Sequence, residues 1–432
     1  MKKLLVSAML AFVSASTISA QNIPQYEGYD LVWNDEFNQD GDLNPKSWTH
    51  EEGFKRNEEL QWYQADNAFC EDGKLIIEGR KETRPNPTYK AGSSSWRESR
   101  KNIDYTSACV TTQDRKSWLY GRFEVRAKIK TEEGLWPAIW FLGTEGEWPS
   151  NGEIDLLEYY HGSILANACW GTKNRWAAKW DESKRPMSEF GGTDWDNEFH
   201  YWRMDWDQHS IKLYMDGRLL NEINVDNTNN ATTKWGPKNP FRQPQYLLLN
   251  LALGGNRGGD VSQTTFPSRY EIDYVRVYQK NALGLAKEKK QQELQQKKAL
   301  TALKNIPKVS GGKSYVLVDK AWAAQNKGDY AEAIAYSDKC VEMYLKRAKQ
   351  IQSQLSSLPK GSRKEVNKYA ILNDVGVSLF IKATTLEKVG DKVGAKKAYA
   401  TLFKDVKYAQ CWDNKGWFWQ PSKVAEKKLA EL

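Results

Sequence analysis

The sequence predicts a mainly β protein, two antiparallel sheets packed face to face, followed by a small all-α domain. Three observations carry this. From Gln21 to about Lys280, short runs rich in Val, Ile, Tyr, Phe and Trp alternate with Gly, Asn, Asp and Pro turns. Within that region Asp216-Gly217 sits between two strand-like runs and reads as a hairpin turn. After Lys280 the apolar period changes from two to that of a helix. A chain of 432 residues accommodates both domains.

The elements follow in order. Lys2 and Lys3, the apolar run Leu4–Val13 and the small residues Ser14–Ala20 read as an export leader, residues 1–20, cleaved after Ala20. That run is too short to span a bilayer, and no later segment is longer and apolar enough to be a transmembrane segment. The expected location is therefore secreted, periplasmic or at the cell surface.

Residues 21–280 form the predicted sandwich. Its strands include KLIIEG (Lys74–Gly79), YGRFEVRAKIK (Tyr120–Lys130), SIKLYMDGRLLNEI (Ser210–Ile223), QYLLLNLALGG (Gln245–Gly255) and YEIDYVRVY (Tyr270–Tyr278). Residues 281–312 are a charged helical linker, with LAKEKKQQELQQKKALTALKNI (Leu285–Ile306) ended by Pro307 and Gly311-Gly312. Residues 313–432 form the α-helical domain. GDYAEAIAYSDKC (Gly328–Cys340) and GDKVGAKKAYATL (Gly390–Leu402) repeat Gly-Asp followed by Ala and Tyr on one helical face. They resemble the second helix of tetratricopeptide repeats, which implies either a structural role or contact with another protein.

Composition narrows the function. The net charge of +8 becomes +6 without Lys2 and Lys3, and much of it lies in the C-terminal third, so no nucleic-acid partner is predicted. Five cysteines without a CxxC spacing and four histidines are poor material for a zinc or catalytic metal site. Of 19 tryptophans, 15 lie between Trp33 and Trp235. That exceeds the need of a core, and aromatic faces lining a groove stack on the C–H faces of sugar rings.

The stretch GEIDLLEYY (Gly152–Tyr160) places Glu153, Asp155 and Glu158 on a strand with no Lys or Arg among them. Strand alternation puts Glu153 and Asp155 on one face and Glu158 on the other. One extra residue at Leu156-Leu157, a β-bulge, returns Glu158 to their face. The three acids then form a row roughly 6–7 Å apart, at about 3.3 Å per residue. Such a row raises carboxylate pKa values by repulsion. Retaining glycoside hydrolysis uses that, with a nucleophile and an acid/base about 5–5.5 Å apart. The competing reading is an exposed acidic strand or a cation site.

The surroundings favour catalysis. LVWNDEF (Leu31–Phe37), NEELQWY (Asn57–Tyr63), YTSACV (Tyr105–Val110), YGRFEVRAKI (Tyr120–Ile129), GLWPAIWFLG (Gly134–Gly143), GEIDLLEYY, FHYWRMDWD (Phe199–Asp207), LLNLALGGN (Leu248–Asn256) and EIDYVRVYQ (Glu271–Gln279) together resemble glycoside hydrolase family 16, its laminarinase-like branch, from about Tyr29 to Tyr278. The resemblance implies a concanavalin-like β-jelly-roll sandwich with an open cleft for a β-linked glycan. It implies that Glu153 is the nucleophile, Glu158 the acid/base and Asp155 the helper between them, with no cofactor required. It also implies cleft roles for Asn57 and Glu58 and for Trp136 and Trp140, with core packing as the alternative for the two tryptophans. Glu36 and Asp273 match positions where relatives hold a structural Ca²⁺, with local salt bridges as the alternative.

One departure bears on the substrate. Where laminarinase-like relatives carry an HGxxH-like element, this chain reads ILANACWGTK (Ile164–Lys173). Trp170 is expected to stack on a different sugar face there. A strand of this kind resembles enzymes that cut internal β-galactosidic bonds in keratan- or mucin-type lactosamine chains. The basic insertion Arg84–Asn102, with Arg97, Arg100 and Lys101, could meet sulfate or sialate, or be a solvated loop. The expected activity is an endo-β-galactosidase. The alternatives are an endo-β-1,3-glucanase and, in another class, a non-catalytic carbohydrate-binding protein.

Overall fold

The computed structural model describes residues 23–191, 194–413 and 417–432. The leader reading of residues 1–20 lies outside them. The chain divides into two compact units at Gly284/Leu285, just past the expected end of the sandwich at Lys280. The charged segment from Leu285 onward groups with the second unit.

Among the described residues the first unit holds a ten-stranded and an eight-stranded sheet. The ten-stranded sheet has Gly121–Lys128 and Ser268–Lys280 at its centre, with His200–Trp206 and Lys74–Pro85 outside them. The hairpin Ser210–Met215/Arg218–Asn224 closes one edge. Asp216 and Gly217 turn it with φ of 47° and 79°, the left-handed pair that a two-residue hairpin loop demands. The eight-stranded sheet runs Ala178–Asp181, Ser163–Gly171, Glu153–Tyr160, Leu135–Gly143, Gln245–Leu253, Cys109–Thr111, Thr49–His50, and Lys184–Pro186 also pairs with Ser163–Gly171.

The core lies between the sheets and takes alternate residues from each strand. Leu135, Ile139 and Phe141 enter it from one strand, and Leu247, Leu249, Leu251 and Leu253 from the next. Trp136, Ala138, Trp140, Asn250 and Ala252 point the other way and line a cleft. Both faces of the run LLLNLAL are thus buried. This is why it reads as nearly continuous apolar sequence rather than an alternation.

In the second unit, Ser314–Lys327 pairs with Tyr330–Ser353, and Ala370–Lys388 with Lys392–Asp405. The repeated Gly-Asp sits at each hairpin turn. Gly328 and Gly390 take φ of 84° and 86°, the left-handed C-terminal position where a side chain would be strained. The Asp391 side chain accepts the Gly394 N–H at 2.8 Å and caps the next helix. Gln325 ties the two hairpins together by donating to the Ile381 carbonyl at 3.1 Å and to Thr385 Oγ1 at 2.7 Å. A small hairpin, Cys411–Asp413 with Trp417–Trp419, interrupts the helices expected over 313–432. Trp412 and Phe418, strong strand formers, pack edge to face across it at 4.8 Å. No helix among the described residues is long and apolar enough to cross a membrane.

Candidate active site

The acid strand, Glu153–Tyr160, carries the expected bulge. Asp155 lies opposite Asn167 on one neighbouring strand, and Glu158 opposite Leu165, so three steps on one side meet two on the other. Against Leu135–Gly143 the slip falls between Asp155 and Leu157. Leu156 and Leu157 are consecutive, yet both are buried in the core between the sheets. Their burial returns Glu158 to the face of Glu153 and Asp155. All three line one cleft of about 720 Å³.

The acids meet indole N–H groups rather than cations. Trp148 Nε1 donates to Glu153 Oε2 at 2.7 Å, and Trp136 Nε1 donates to Glu158 Oε1 at 2.9 Å. Burial pushes both glutamates up to about 7. Glu158 also bears the repulsion of Glu153 and Glu59, eased by Trp136 and the charge of Arg257. Trp148 and, more weakly, Arg56 favour the charged form of Glu153. The charge of Glu153 acts on Glu158, so a charged Glu153 favours the protonated form of Glu158. Asp155 is 1% exposed. Burial first, then Glu158 and Glu153, hold it far above the usual carboxylate range. Its Oδ2 has no hydrogen-bond partner, the environment of a neutral carboxylic acid.

A polar network stands on one side of the acid strand. Trp140 Nε1 donates to Asn250 Oδ1 at 2.7 Å, and Asn250 Nδ2 donates to the Tyr63 hydroxyl at 3.1 Å. Gln61 donates to Glu59 Oε2 at 2.7 Å, and Asn57 to Glu59 Oε1 at 3.2 Å. Arg56 pairs with Glu51 and lies 5.0 Å from the centre of the Trp140 ring. Trp136, Trp140 and Asn57 line the cleft. Glu58 does not; Glu59 takes the place assigned to it. Asn57 and Glu58 both have positive φ, 54° and 53°, and that turn brings the next residue inward.

Two further expectations are corrected. Trp170 is 4% exposed and belongs to the core. Asn167 and Cys169 face Asp155 and Glu153, so alternation sends Trp170 to the opposite side. Arg97 is absent from the cleft lining. It stacks 4.5 Å from Trp96 and donates to the Phe54 carbonyl at 3.0 Å and to the Lys55 carbonyl. Arg100 likewise donates to the Glu58 carbonyl at 2.7 Å. The basic insertion holds the segment that precedes the polar network in place.

Glu36 and Asp273 are each paired with an arginine, as in the salt-bridge alternative. Arg276 grips Glu36 through two bonds of 2.8 and 2.7 Å, and Arg126 donates to Asp273 at 2.7 Å. No group of three or more metal-binding side chains occurs among the described residues. His200 lies stacked 4.0 Å from Trp195 and bonds Asp216 at 2.7 Å, away from the cleft. The sequence reading missed Trp176, Trp180, Asn167, Glu182 and Arg257, all in the cleft lining. Period-two counting from Asn167 through Cys169 finds Trp180, which lies opposite Cys169; Arg257 follows the Gly254-Gly255 turn and carried no signal of its own.

The sequence profile described as Glycosyl hydrolases family 16 matches residues 58–276, half of the chain. Glucan endo-1,3-beta-glucosidase A1 of Niallia circulans is 29% identical over 285 residues, covering 61% of this chain and 39% of that protein. The keratan-sulfate endo-1,4-beta-galactosidase of Sphingobacterium multivorum is 26% identical over 258 residues, covering 58% and 55%. The chain thus spans about half or less of these two relatives. A solved structure from work on endo-acting O-glycanases that human gut bacteria express to initiate mucin breakdown is 36% identical, with a TM-score of 0.54, and covers 61% of this chain and 95% of that one.

Proposed function

The chain belongs to glycosyl hydrolases family 16, and from that membership we propose that it is an exported, retaining endo-β-galactosidase acting on keratan- or mucin-type lactosamine glycans. The observation that carries the chemistry is the bulged acid strand, which sets Glu153, Asp155 and Glu158 on one cleft face. Glu153, charged, attacks the anomeric carbon while Glu158 gives its proton to the departing glycosidic oxygen. The glycosyl ester on Glu153 is then cleaved by water, whose proton returns to Glu158. Neutral Asp155 removes one charge from the row and keeps Glu153 from facing two carboxylates. No step of this scheme draws on a cofactor.

The choice of a galactoside is supported by similarity to the O-glycanase structure and to the keratan-sulfate enzyme. Glucan endo-1,3-beta-glucosidase relatives support the second reading, a laminarinase. Parallel digestion of keratan sulfate, mucin O-glycans and laminarin, with products weighed by mass spectrometry, separates them. Galactose-ended oligosaccharides are expected from the first two. Faster release of glucose oligomers from laminarin overturns the galactoside assignment.

A further inference from the structure

Three tryptophans among the described residues are more than a third exposed: Trp148 at 39%, Trp176 at 63% and Trp180 at 37%. All three line the catalytic cleft. A single exposed indole is unremarkable, but three converging on one cleft mark a binding surface. Trp180 lies opposite Cys169, and Cys169 opposite Glu153, so this aromatic arm lies across the acid strand from Asn57, Glu59 and Asn250.

Trp176 is held there at a cost. Its φ is 60°, a left-handed conformation that a bulky residue adopts only when its surroundings impose it. Arg175 packs beside it. Its guanidinium lies 4.4 Å from the centre of the Trp176 ring and forks onto Glu147, with Nε at 3.1 and 3.0 Å from the two carboxylate oxygens and a terminal nitrogen at 2.8 Å. Glu147 immediately precedes Trp148, as Arg175 precedes Trp176. One two-pronged ion pair thus ties together the two loops that carry the most exposed indoles. The bond-breaking chemistry has no use for it.

We propose that Trp176 and Trp180 form a stacking subsite for a sugar ring away from the cleaved bond, and that Glu147 and Arg175 are the positioning pair that holds it beside Trp148, whose own indole is engaged with Glu153. The occupant is a β-linked hexopyranose with one continuous C–H face. The inference rests on reading the cleft as a glycan site, but not on which glycan is cut.

Steady-state kinetics on a ladder of oligosaccharides tests it, using lactosamine oligomers and laminari-oligosaccharides and keeping whichever series the wild type cleaves. Trp176 is exposed, so Trp176→Ala folds. For the longest oligomers it should raise KM by about 10- to 100-fold, the usual scale for a truncated aromatic anchor, with kcat nearly unchanged and the shortest cleavable oligomer unaffected. Arg175→Gln should give a smaller rise with the same length dependence, and Arg175→Lys should restore part of it. A loss equal on short and long oligomers, or one falling on kcat, overturns the subsite. Cleavage of laminari-oligosaccharides alone would refute the galactoside assignment while leaving the length dependence to decide the subsite.

Discussion

The sandwich displays two sets of carboxylates, and they are treated in opposite ways. On or beside the ten-stranded sheet four acids each meet a cation from a neighbouring strand. Arg122 grips Asp205 at 2.7 Å, Arg126 meets Asp273, Arg269 meets Glu78 at 2.8 Å, and Arg276 forks onto Glu36. On the cleft face Glu153 and Glu158 receive only indole N–H groups, and Asp155 has one oxygen with no partner. An arginine would lock a carboxylate in its charged form. A neutral donor orients the group without fixing its charge, so its proton stays available for chemistry near neutral pH. The difference separates acids that hold the fold from the acids proposed to carry the chemistry.

The largest effect should come from removing the attacking charge. Glu153→Gln keeps the shape and can still accept from Trp148, yet it leaves no nucleophile. Turnover should fall at least about a thousandfold, roughly 4 kcal/mol of barrier, with an unchanged circular-dichroism spectrum. Near-wild-type hydrolysis would break the comparison at its catalytic end.

The structural end breaks differently. Arg276 is 3% exposed and Glu36 11%. Arg276→Met strands a nearly buried carboxylate, which costs about 3–5 kcal/mol. Chemical denaturation should show that loss, while kcat at 25 °C in the folded fraction stays the same. A fall in kcat without loss of stability would mean that the outer set is not structural.

The indole donors allow a finer cut. Activity needs Glu153 charged and Glu158 protonated, so Glu153 sets the acid limb of the pH profile and Glu158 the alkaline limb. Each indole N–H favours the charged form of its partner. Trp148→Phe should therefore move the acid limb of kcat/KM to higher pH, and Trp136→Phe should move the alkaline limb to higher pH. Each shift should be up to about one unit, the worth of one hydrogen bond to a charged group. If both variants move the same limb, the two roles are exchanged or shared.

Much of this division was legible in the sequence. The spacing of Glu153, Asp155 and Glu158 demanded a bulge, because only an extra residue puts all three on one face, and the double burial of Leu156-Leu157 is the outcome. The helical hairpins were legible for a similar reason, since Gly328 and Gly390 fill positions where other residues are strained. Trp170 was misplaced because strand phase is known only once a partner is fixed, and Asn167 opposite Asp155 sets it. Arg97 was misjudged because charge gives no direction; its loop folds back onto the carbonyls of Phe54 and Lys55. Trp176 lay in a loop, where periodicity says nothing.

A stability measurement tests what leaving these acids unpaired costs the fold. Glu158 has an ordinary value of 4.5 and stands at about 7 in the folded protein. Its folded form thus binds its proton more tightly than its unfolded form. Below pH 4.5 both are protonated and the group is neutral in its effect. As pH rises from 4.5 through 7 the unfolded chain gives up its proton first, so stability falls across that window and stays lower above it. Glu158→Gln cannot ionise, and its amide oxygen still accepts from Trp136. It should be more stable than wild type by about 1–3 kcal/mol at pH 8, with the gain vanishing by pH 4.5. The same substitution at Glu36 should do the reverse at neutral pH, because it removes the charge that Arg276 holds. Equal responses at the two sites would mean that the cleft acids bear no more strain than the paired ones.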